Sequence, residues 1–234
     1  MRVSTWHHLF IHTLVCVGLG LALLGHKSWA FETLRGQEIA QCLPGEVSTW
    51  GDGLDRPALA NPMVFVYDHS NAPAWFSQVL VEATLQKAQQ AWAQCGVPGR
   101  VVTATPAKPY TEEVRQGALR VQWSDAASPG SFGQVDPMQR TLSLGPAAFA
   151  LLKKMNPAAD AHAMLQMVIS HEMGHTYGLL AHSRRCVDVT SIYSNAKGER
   201  CTVRNGLPMP PGVEYRSTFP TACDIQRCVA ANKK

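Results

Sequence analysis

Residues 171–182 read HEMGHTYGLLAH. On a helix, positions i and i+4 lie one turn apart on the same face, so His171 and His175 can grip one zinc ion with two imidazole nitrogens. Glu172 is rotated about 100° from His171 and borders such a metal without having to bind it. A general base acting on a zinc-activated water belongs in that position. His182, seven residues past His175, offers a third imidazole. Five of the nine histidines lie beyond residue 30, and three of those five fall within these twelve residues, which coincidence explains poorly. His69 and His162 have no such context and are read as ordinary polar residues.

The stretch HEMGHTYGLLAHS resembles the active-site segment of the metzincin zinc peptidases, H-E-x-x-H-x-x-G-x-x-H. Gly178 falls on the pattern's glycine, where a left-handed helix terminus favours that residue. Ala181 occupies the pattern's last position, and the histidine comes one residue later, giving H-E-x-x-H-x-x-G-x-x-x-H. A residue inserted after a glycine turn falls in a loop, where backbone torsions can absorb it. His182 is therefore retained as third ligand, with Asp188 or Glu199 as fallbacks. Eight residues past His182, DVTSIYS resembles the family's S-x-M-S-Y turn with Thr190 in place of methionine. Met209 in GLPMPP is the alternative turn methionine.

The resemblance spans residues 166–193, and what it implies goes further. The fold would be α+β and metzincin-like: a small twisted mixed sheet, a long early helix and an active-site helix, then a loop-rich, disulfide-bonded C-terminal subdomain. The cofactor would be Zn2+, held by His171, His175 and His182. The activity would be that of a secreted zinc-dependent endopeptidase with Glu172 as general base and Tyr193 as a further hydrogen-bond donor. A protein or peptide substrate would pair with an edge strand at Phe132–Val135. Two other readings remain open: an exported zinc-binding interaction module without catalysis, and a zinc amidase acting on a non-protein amide.

Several elements must position these residues. Met63–Asp68 is β-branched and aromatic, and reads as a strand. A helix is expected over residues 71–96, capped by Asn71 and stopped by Gly96, with Val81, Leu85, Ala88, Trp92 and Cys95 forming its inward stripe. Further strands are expected at Arg100–Ala104, Ala118–Trp123, Phe132–Val135 and Arg140–Leu144, the last two joined by a DPMQ turn. Asn156-Pro157 has the chemistry of a helix start. From there the histidine helix should run to Gly178, with Leu165, Val168 and Ile169 facing the core. Residues 31–62 read as irregular.

The ends of the chain speak to compartment. Arg2, an apolar run over residues 9–24 and Ser28-Trp29-Ala30 make residues 1–30 a signal peptide. Its removal leaves an N-terminal subdomain over residues 31–182 and a C-terminal one over 183–234, in a secreted or periplasmic protein with no stable membrane insertion. Of 21 basic residues, Arg2 and Lys27 lie in the leader, leaving 19 against 17 acidic ones. That near-balance lacks the electrostatic footprint of a nucleic-acid binder. The oligomeric state is not legible. Cys16 leaves with the leader, and the other six cysteines suggest three disulfides with fifteen possible pairings. Loop length favours Cys186–Cys201 and Cys223–Cys228, leaving Cys42–Cys95.

Overall fold

The computed structural model describes residues 32–104, 116–206, 209 and 214–233. The expected leader lies outside them. Five strands form one sheet: β1 (Met63–Tyr67), β2 (Gly99–Thr103), β3 (Leu119–Trp123), β4 (Gly133–Asp136) and β5 (Thr141–Leu144). Their order is β2-β1-β3-β5-β4. Every neighbouring pair is parallel except β4 with β5, so the sheet is mostly parallel with one antiparallel edge. The β4–β5 turn forms because the Asp136 carboxylate accepts the Met138 and Gln139 backbone N–H groups at 2.9 Å each.

Five α-helices accompany the sheet among the described residues: α1 (residues 32–40), α2 (Gln78–Trp92), α3 (Pro146–Met155), α4 (Ala161–Thr176) and α5 (Ala222–Asn232). Helix α2 crosses between the parallel strands β1 and β2. Its Val81, Leu85, Ala88 and Trp92 are buried together with Cys95, the stripe read from the sequence. They meet Phe65, Leu119, Val121 and Leu142 of the sheet and Leu165, Ile169 and Met173 of α4 in one core. Each large aliphatic side chain buried there contributes about 1.5–3 kcal/mol of transfer free energy. The Trp92 indole also donates to the Ser170 carbonyl at 2.8 Å, tying α2 to α4 one residue ahead of His171. Ten of the sixteen residues of α4 are buried, so the chemistry-bearing helix lies inside the fold.

Several expectations are corrected. Asn71 does not cap α2; it is left-handed (φ 63°), whereas an N-cap is extended, and Ser77 (φ −69°, ψ 151°) takes that role. Residues 146–155, read as no element, form α3 with proline in its first turn, and Asn156 closes that helix instead of opening the next. Asp160 caps α4, accepting from the His162 and Ala163 N–H groups. Helical α1 and α5 stand in segments expected to be irregular or loop-rich.

The Cys186–Cys201 disulfide is present as expected, but the other two are Cys42–Cys223 and Cys95–Cys228. Helix geometry explains the change: five positions apart on α5, Cys223 and Cys228 point about 140° from one another and each bonds a different part of the chain. Among the described residues no helix is long and apolar enough to cross a membrane.

Gly178 ends the histidine helix in the left-handed region at φ 103°, and a Cβ there would stand 1.9 Å from the Arg56 carbonyl oxygen. Gly178→Ala is expected to cost on the order of 3 kcal/mol or more in urea unfolding. Gly198→Ala, also left-handed but with open space around it, should cost only about 1–2 kcal/mol.

Candidate metal centre

The sequence places His171 and His175 one turn apart on α4, and Gly178 swings the chain back so that His182 joins them. One ring nitrogen from each of the three lies within 4.8 Å of the others. Their ring centroids are 4.9, 5.0 and 5.3 Å apart. The extra residue is absorbed after the turn. Ala181 N–H donates to Asp55 at 3.2 Å, and His182 N–H donates to Asp52 at 2.9 Å. The His182 carbonyl accepts from Trp50 N–H at 3.0 Å.

Each imidazole is oriented through its other nitrogen. His171 Nδ1 lies 2.7 Å from the Val189 carbonyl oxygen, and His175 Nδ1 lies 2.7 Å from that of Leu179. His182 Nδ1 lies 2.7 Å from the Asp52 carboxylate. A carbonyl or an ionised carboxylate can only accept, which places the proton on Nδ1 and leaves the Nε2 lone pair free. Burial raises the Asp52 pKa, but hydrogen bonds from His182 outweigh it and leave the carboxyl below its usual value. Burial, followed by the charges of His175 and His182, holds His171 well below its ordinary pKa. Burial and the His182 charge bring His175 down to about 4. Neutral imidazoles with free lone pairs are the form that binds a metal.

Glu172 is 7% exposed, and burial pushes its pKa up to about 8. No hydrogen-bond partner for its carboxyl stands among the described residues. It faces a space of about 130 Å³ bordered by Gly133, Met167, His171, Ile192 and Arg216. Strand β4 packs on α4 so closely here that a Cβ on residue 133 would stand 2.7 Å from Glu172 Cγ. Only glycine fits without moving the carboxyl.

The other sequence candidates lie elsewhere. Tyr193 donates its hydroxyl proton to Glu214 and accepts from Tyr215 N–H at 2.7 Å. Asp188 is buried between Ser183, Arg185 and Thr221, and Glu199 accepts from Asn195. Neither belongs to the histidine group. Thr190 is fully buried, while Met209 packs against Cys186, Val187, Val203 and Tyr215. His69 contacts Tyr67, and His162 packs on Phe76. Asp52, Gly133 and the two carbonyl acceptors were missed by the sequence reading; only the short Asp/Gly run at residues 51–55 hinted at a binding loop.

No family model matches the chain, and no curated protein matches it. Among solved structures it is similar to one described as the GM1-bound form of the ECX AB5 holotoxin. The TM-score is 0.43 at 14% identity, covering 83% of this chain and 92% of that one. The expectation of an endopeptidase is corrected at this point: the similar structure is named as a holotoxin. No role is carried over from it, so the chemistry rests on the geometry of the site.

In the metal-free fold Glu172 keeps its proton to about pH 8, whereas an unperturbed carboxyl loses it near 4.5. The fold therefore holds the extra proton between those values and loses stability as pH rises from about 5 to 8. His171 and His175 act in the opposite sense: the unfolded chain takes up their protons below about 6.5, so stability falls as pH drops toward 4. Chelator-treated Glu172→Gln should be more stable than wild type at pH 8 and match it near pH 4.5, by urea midpoints measured across that range.

Proposed function

We propose that the chain is an exported zinc-binding protein in which His171, His175 and His182 hold one Zn2+ and Glu172 moves protons beside it, acting as a hydrolase on an amide outside the protein backbone. The observation that supports this is the set of three imidazoles, each oriented through Nδ1 and each presenting a nitrogen within 4.8 Å of the others. Three disulfides fit an oxidising, extracytoplasmic setting.

Structural zinc sites close with four protein ligands, whereas three protein ligands leave a position for water or substrate. Bound there, zinc would polarise a substrate carbonyl and lower the pKa of a water to about 7. Glu172 takes a proton from the attacking water and delivers it to the departing nitrogen. Burial holds its pKa too high for a base at neutral pH, and a divalent cation held by the three histidines would pull it back down. Gly133 lets β4 lie against this carboxyl.

A second reading, an interaction module without catalysis, draws on the size of the space beside Glu172. At about 130 Å³ it is smaller than the roughly 300–1,000 Å³ of ordinary ligand pockets.

The experiment is zinc content by elemental analysis for wild type, Glu172→Ala and His182→Ala, with hydrolysis of a panel of N-acyl amines and N-acyl amino sugars. One zinc per chain is expected in wild type and Glu172→Ala, and a deficit in folded His182→Ala. Hydrolysis should fall by about 100-fold or more in Glu172→Ala. Full zinc with no turnover of any amide would favour the interaction module. A folded wild type that takes up no zinc would overturn both readings.

A further inference from the structure

Beneath the histidines, helix α5 presents a buried carboxylate that no metal ligand touches. Asp224 is fully buried, and it is the N3 residue of a capping box with Thr221. Its oxygens do more than cap the helix. Oδ2 accepts the Val189 backbone N–H at 2.9 Å and the Thr221 N–H at 3.0 Å. Oδ1 accepts the Thr190 hydroxyl at 2.6 Å. Arg227, one turn further along α5, donates to the Thr190 oxygen at 3.3 Å.

Val189 is the residue whose carbonyl accepts His171 Nδ1–H. It is thus held at its N–H by Asp224 and uses its C=O to orient the first imidazole. We infer that Asp224 is a positioning residue for the metal centre: it fixes residues 189–190 so that the Val189 carbonyl stays in place for His171. This inference rests on the zinc reading of the site.

The anchoring of α5 supports the role. Cys223 and Cys228 flank Asp224 and bond to Cys42 and Cys95, so the helix is fastened to the N-terminal segment and to the turn that follows α2. A carboxylate on a helix so fastened is a fixed reference point, whereas residues 183–194 have no helix or extended strand of their own. Without Asp224, the Val189 N–H and the Thr190 hydroxyl both lose a buried acceptor, and the loop must shift to find others. The His171 ring then loses the acceptor that sets its tautomer and its aim. Outer partners of this kind are typically worth 10- to 100-fold in metal affinity.

The test compares zinc affinity, by competition with a chromophoric chelator, in wild type, Asp224→Ala, Thr190→Val and Val81→Ala. Val81 is a buried core residue of α2 outside the network, so its variant supplies a loss of stability unrelated to the loop. Asp224→Ala should bind zinc about 10-fold more weakly or worse, and Thr190→Val several-fold more weakly, while Val81→Ala stays near wild type. The His171 Nδ1–H resonance should shift or broaden in the first two alone. Thr190→Val keeps the shape of the side chain and carries the test if Asp224→Ala fails to fold. Zinc affinities in both network variants no weaker than in Val81→Ala would overturn the inference while leaving the zinc site standing. A folded wild type that binds no zinc would overturn the inference together with the site.

Discussion

Three imidazoles can aim lone pairs at one point only if something holds the proton on the far side of each ring. That constraint organises this molecule. The acceptors come from three separate places: the carbonyl of Val189 in the loop before α5, the carbonyl of Leu179 just past the turn of α4, and the carboxylate of Asp52 in the N-terminal segment. A carbonyl orients a ring without adding charge. A carboxylate also adds a negative charge beside the imidazole, and His182, the most exposed of the three, is the one that receives it. Burial holds the other two well below their ordinary pKa.

Drawing acceptors from distant segments requires that those segments cannot drift. The 50–56 stretch is fastened beyond its contacts with residues 181 and 182. Arg56 N–H donates to the Gly178 carbonyl at 3.0 Å, and Asp55 accepts both Nε and Nη2 of Arg227, at 2.6 and 2.8 Å. Arg227 also donates to the Ala181 carbonyl, so α5 meets the His182 loop as well as the loop that carries Val189. The disulfides from Cys223 and Cys228 span 181 and 133 residues. In the chain-entropy picture loops of that length are worth about 5 kcal/mol each, which suits a fold whose site depends on contacts so remote in sequence.

What was legible in the sequence follows the range of the interactions involved. His171, Glu172 and His175 are related by helix geometry alone, and Gly178 by the steric cost of its φ, so four letters of local spacing sufficed. Most of the strands were readable for the same reason, β1 being the clearest short β-branched and aromatic run. Asp52 was not, because its link to His182 is 130 residues long and nothing in a Gly-Asp-Gly tripeptide says what it will face. The disulfides failed differently. Short loops seemed the natural closures, yet Cys223 and Cys228 belong to a helix that was read as loop, and a helix turns their side chains apart. Helix α3 was missed although Gly145-Pro146 carries the very signal, proline at a first turn, that was credited to Asn156-Pro157.

Thr190 shows why the underside of the site is polar. A methionine at that position would be satisfied by packing alone. A buried threonine hydroxyl needs an acceptor, and Asp224 provides it at 2.6 Å. A buried carboxylate in turn needs several donors to offset its desolvation, and it finds them in the N–H groups of Val189 and Thr221. Asp188, also buried and close to that charge, has its pKa pushed up by burial and by Asp224, and takes donors from Arg185, Ser183 and Thr221. Each polar group in this chain thus obliges the next. Partial satisfaction would be worse than an apolar base, so the loop carrying Val189 and the helix carrying Asp224 are committed to one arrangement. The aim of His171 is a consequence of that commitment.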